Sequence, residues 1–135
     1  MTATTAVQRH ILAIDNSQAV LDLFRELLEG EGYRVSIQSY ADKDLDAIKE
    51  LAPDLIILDY MWEAEDGGWS LLQLLQLDPE TTAIPIVLCT AAVAEASELE
   101  PHLMEKGVRV VLKPFDLDDL LGAIRDALAP HATEV

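Results

Sequence analysis

Four short apolar runs in this chain each end on a polar residue suited to phosphoryl or metal chemistry. Asp15 follows His10 to Ile14, Asp59 follows Leu55 to Leu58, Thr90 follows Ile86 to Cys89, and Lys113 follows Val108 to Leu112. An aspartate carboxylate can attack phosphorus and form an acyl phosphate. That attack needs a hard cation against the phosphoryl oxygens, and Mg²⁺ typically takes one or two carboxylates plus several waters. It also needs fixed donors for the transferring charge, such as an ammonium and a hydroxyl. Each residue alone has an ordinary role: a strand-end Asp caps the next helix or turn, Thr90 serves a turn, and Lys113 is a solvated strand end. Four such residues on four strand ends point to one site, because open parallel α/β sheets bind ligands at their C-terminal strand edge.

The elements that must position these residues alternate five times between strand-like and helix-like periods. Ser17 can cap a helix whose Val20, Leu21, Phe24, Leu27 and Leu28 form one stripe, with Gly30 to Gly32 ending it. Tyr33 to Ile37 is a second strand. Asp42 precedes a helix carrying Leu45, Ile48 and Leu51, stopped by Pro53. Leu55 to Leu58 is apolar at every position, the mark of a strand covered on both faces. A longer loop leads to a helix from about Trp69 that ends before Asp78 and Pro79, and Pro85 opens the fourth strand. Ser97 with Glu100 reads as a capping box for a fourth helix closed by Gly107, and Asp116 caps a last helix along Leu117, Leu120, Leu121, Ile124 and Leu128. Five such units imply a doubly wound five-stranded parallel sheet with helices on both faces. The domain is expected over residues 10 to 129, between short tails at 1 to 9 and 130 to 135.

With 135 residues, the chain suits one domain with a single good core. Its 25 acids against 9 bases leave a net charge of −16, a surface that repels nucleic acid and anionic lipid. A protein partner with a basic face fits better, although acidity is also a solubility device. Cys89 is the only cysteine, so an intrachain disulfide is impossible; it reads as core filler in a reducing compartment. No signal peptide opens the chain and no apolar run is long enough for a membrane helix, so a soluble cytoplasmic protein is expected. His10, His102 and His131 have no metal-ligand spacing and are expected at the surface or at strand edges.

In order and spacing, I-L-A-I-D-N at the first strand, L-I-I-L-D-Y at the third, and C-T-A with V-L-K-P-F at the fourth and fifth resemble the receiver domain of bacterial two-component response regulators. The resemblance covers residues 10 to 129 and implies the flavodoxin-like strand order 2-1-3-4-5. It implies that Asp59 is the phosphoacceptor, served by a histidine kinase or phosphotransfer protein. Asp15, Asn16 and Asp59, with the backbone carbonyl of Met61, would hold Mg²⁺, while Thr90 and Lys113 would contact the phosphoryl group. Chemistry would be limited to self-phosphorylation and self-dephosphorylation. Output would be a contact with a downstream protein target, through the face of the fourth helix, fifth strand and last helix, in a stand-alone receiver that is monomeric or weakly dimeric.

Three departures from the family pattern stand out. Asn16 replaces the second acid of the usual pair, and an amide oxygen ligates Mg²⁺ without charge, so weaker metal binding is expected. The loop after Asp59, Y-M-W-E-A-E-D-G-G-W, lacks the usual proline and is one residue longer than common, with Tyr60 and Trp62 packing down or gating access. Val110 stands where an aromatic switch residue is frequent, so threonine-to-aromatic coupling cannot run in its usual form. The alternative is a degenerate receiver that docks partners without phosphorylation. A phosphatase of the haloacid dehalogenase type fits poorly, since the first strand ends in D-N-S and there is no room for a cap.

Overall fold

The computed structural model describes residues 8–15, 17–39, 45–59, 67–90, 107–112 and 116–128. The apolar runs form strands β1 (His10–Ile14), β2 (Arg34–Gln38), β3 (Leu55–Asp59), β4 (Ile86–Thr90) and β5 (Val108–Leu112). Between and after them run helices α1 (Gln18–Gly30), α2 (Leu45–Leu51), α3 (Gly67–Leu77) and α4 (Leu117–Leu128). All four strand pairings are parallel, in the order β2-β1-β3-β4-β5, as expected from the sequence. Asp42 and the helix expected after Ser97 lie outside the described residues.

Alternate side chains of the central strands feed opposite faces, which is why these runs are apolar throughout. Ile11, Ala13, Leu55, Ile57, Val87 and Cys89 join a core under α1 and α4, centred on Phe24 and Ile124. Leu12, Ile14, Ile56, Leu58, Ile86 and Leu88 join a second core with Ile48 of α2 and Leu71, Leu72 and Leu75 of α3. Cys89 is fully buried, as core filler should be.

Local signals set the helix ends. Ser17 Oγ accepts from Val20 N–H at 3.3 Å, and Asp116 Oδ1 accepts from Asp119 N–H at 2.8 Å, so both predicted caps form. Past α1, Tyr33 N–H donates to Leu28 O and Gly32 takes φ +95°, a left-handed closure that favours glycine. Tyr33 thereby belongs to the helix turn, and β2 starts one residue later than its sequence suggests. The helix α2 stops without glycine: Ala52 N–H meets the carbonyls of Ile48 and Lys49, and Ala52 itself adopts φ +48° before Pro53.

His10 corrects the sequence reading. It is buried, and its ring bridges Leu51 O at 3.0 Å and Ser36 Oγ at 2.7 Å. The reason is topological: β1 is an inner strand, so its first residue is enclosed by β2 and the end of α2. His102 and His131 lie outside the described residues.

Candidate functional site

Strand register places the candidate residues. Ile14 pairs with Leu58, so Asp15 stands level with Asp59 on the neighbouring strand. Parallel neighbours run about 4.8 Å apart, close enough for two strand ends to share one small ligand. Asp59 pairs with Cys89, which puts Thr90 one residue further along at the end of β4, and Thr90 pairs with Leu112 at the end of β5. The fold therefore gathers the backbone positions of Asp15, Asp59 and Thr90 at the C-terminal edge of three adjacent strands. Lys113, Asn16 and Met61 lie outside the described residues, as do Tyr60, Trp62, Glu63, Glu65 and Asp66.

Asp15 serves the fold as well as the edge. Its side chain is buried, only 2% of the residue being exposed. Its Oδ1 accepts from Ser17 N–H at 2.9 Å, and its own N–H donates to Gln38 O at 3.2 Å. The carboxylate thus shapes the turn into α1, the ordinary capping role, while standing at the sheet edge where the ligand-binding role would need it. A buried carboxylate costs several kcal/mol in lost hydration unless donors or cations compensate. Its hard oxygens suit Mg²⁺. Among the described residues no three His, Cys, Asp or Glu side chains cluster to cage a metal.

Val110 is half-buried and packs against the core beneath α3. A second polar cluster, which the sequence reading did not single out, lies at the opposite edge of the sheet. Lys49 Nζ in α2 reaches Asp78 Oδ2 at 2.9 Å and Glu80 Oε1 at 3.1 Å. Hydrogen bonds to Asp78 and Glu80 raise the Lys49 pKa, and the bond from Lys49 holds Asp78 below its ordinary value. No local motif announces this cluster, because Lys49 lies about thirty residues from Asp78 and Glu80.

The response regulator receiver domain family matches residues 11–125. The phosphate regulon transcriptional regulatory protein PhoB of Rhizobium meliloti is 32% identical over 125 residues, covering 93% of this chain and 54% of that protein. The chain thus spans about half the length of the curated relatives it matches. A CheY-like response regulator receiver domain protein from Methanospirillum hungatei superposes with a TM-score of 0.72 at 28% identity, covering 90% of this chain and 94% of that one. A response regulator from Chloroflexus aurantiacus reaches a TM-score of 0.78 at 24% identity, over 92% of this chain and all of that one, and speaks for the fold alone. Among the described residues no helix is long and apolar enough to cross a membrane.

Proposed function

The chain belongs to the response regulator receiver family, and from that premise we propose that it is a phosphoryl-accepting signalling switch with Asp59 as its acceptor. Members of the family are switches rather than classical enzymes; they bind Mg²⁺ at the phosphorylation site, and response regulators interact with histidine kinases. The observation that carries the reading is the buried Asp15 carboxylate at the end of β1, level with Asp59 at the end of β3.

In this reading a carboxylate oxygen of Asp59 forms the bond to phosphorus as the phosphorus–nitrogen bond of a donor phosphohistidine breaks. The departing imidazole takes the electron pair, and Asp59 is left as an acyl phosphate. Thr90 donates its hydroxyl proton to a phosphoryl oxygen, and the Lys113 ammonium offsets the remaining charge. Asp15, Asp59, the Asn16 amide oxygen and the Met61 carbonyl would hold Mg²⁺, which supplies neutralising charge on the phosphoryl oxygens. Asn16 contributes no charge, so binding is weaker than with two acids. The donor is a cytoplasmic histidine kinase or phosphotransfer protein, and the output is a protein contact.

Asn16 also favours the second reading, a receiver that docks its partner without being phosphorylated. Intact-mass spectrometry after incubation with acetyl phosphate separates the two. One phosphoryl adduct that requires Mg²⁺ and is lost in Asp59→Asn is expected, and Asn16→Asp should reach it at lower Mg²⁺. An unmodified chain at saturating donor and Mg²⁺ would leave the docking module.

A further inference from the structure

A groove of about 500 Å³ opens at the N-terminal edge of the sheet, between the end of α2 and the loop joining α3 to β4. Ile48, Ala52 and Pro53 line one side, and Thr81 and Ile84 the other. Ile48 and Thr81 are almost completely buried, and the Thr81 hydroxyl is already spent on Leu75 O at 2.7 Å, so the inner surface offers little to a polar ligand.

Among the described residues the charge around the groove is one-sided. Lys49 is the cation in its wall and is already bonded to Asp78 and Glu80, while the exposed Glu50 adds a third carboxylate. Three acids around one paired ammonium repel anionic ligands and favour a cationic one, in a chain whose net charge is already −16. We propose that this groove docks a short basic segment of a protein partner, through one apolar side chain flanked by lysine or arginine. Its volume accommodates two or three side chains. Because it lies at the edge opposite Asp15, Asp59 and Thr90, a partner can remain docked there while the other edge is modified.

The test is an NMR titration of the ¹⁵N-labelled chain with the capped peptide Arg-Leu-Lys, beside Glu-Leu-Glu and spermidine. Arg-Leu-Lys should shift the amides of Ile48, Lys49, Ala52, Thr81 and Ile84 saturably, and Glu-Leu-Glu should leave them in place. Glu50→Lys should weaken that binding about threefold or more, the scale of an exposed charge pair made repulsive. Shifts spread evenly over the acidic surface, an equal response to spermidine, no saturation at millimolar peptide, or unchanged affinity in Glu50→Lys would each overturn the proposal.

Discussion

At the residue scale, His10 carries more structure than its isolated position in the sequence suggests. The Leu51 carbonyl can only accept, so Nδ1 of His10 donates to it, while Nε2 bonds the Ser36 hydroxyl. The His10 N–H donates to Asp54 Oδ2 at 2.8 Å, and Asp54 N–H returns a bond to His10 O at 2.7 Å. One side chain and its backbone thus join β1 to β2, to the end of α2 and to the start of β3. His10→Ala removes both ring contacts and leaves a void at a buried site, which should lower unfolding free energy by about 2–4 kcal/mol. Urea denaturation measures it, and a loss under about 1 kcal/mol would show that water replaces the imidazole at little cost. None of this was legible beforehand: a histidine opening an apolar run reads equally well as an exposed strand end.

At the element scale, α2 is the helix most dependent on its surroundings. With seven residues it is too short to persist alone, so tertiary contacts must hold it. Ile48 anchors it in the core, His10 holds its last carbonyl, and Lys49 ties it to the loop after α3. That tie has a defined pH range. The raised Lys49 pKa stabilises the fold fully below its ordinary 10.5, and the contribution fades as pH climbs through the folded value. The lowered Asp78 pKa stabilises the fold above its ordinary 3.8, and that contribution fades as pH falls through the folded value. The tie is therefore whole at neutral pH, and its acid loss comes below 3.8. These groups are partly exposed, so the effect is modest and screened by salt. Lys49→Met should melt slightly lower than the parent at neutral pH and converge with it in acid. Circular-dichroism melts across that range would show parallel curves instead if the ion pairs contributed nothing. The end of α2 was readable from Leu51 and Pro53; the partners of Lys49 were not.

At the scale of the whole molecule, charge opposes compactness. A net charge of −16 on a domain with two well-filled cores repels itself, and salt screens that repulsion within a Debye length of about 8–10 Å. The melting temperature should rise by a few degrees between low and physiological NaCl. MgCl₂ at matched ionic strength should raise it further, because a cation bound only to the folded state stabilises that state by mass action. Asp15→Asn keeps an oxygen able to accept from Ser17 N–H while removing the charge, and should abolish the extra Mg²⁺ increment. Equal increments in parent and variant would move the cation away from the β1 edge.

What the sequence by itself determined is local and repetitive. Uniformly apolar runs pointed to strands covered on both faces, Ser17 and Asp116 to helix starts, and the backbone positions of Asp15, Asp59 and Thr90 to one sheet edge once the strands were parallel. The cores confirm this alternation in β1, β3 and β4, where successive residues divide between the two faces. The tertiary structure alone decided which distant groups meet. It joined His10 to Ser36 and Leu51 across 26 and 41 residues, Lys49 to Asp78 and Glu80, and gave Asp15 a turn to cap. Those pairings follow from strand order and helix placement, which satisfy the packing of the whole core at once, and no short window of residues contains that information.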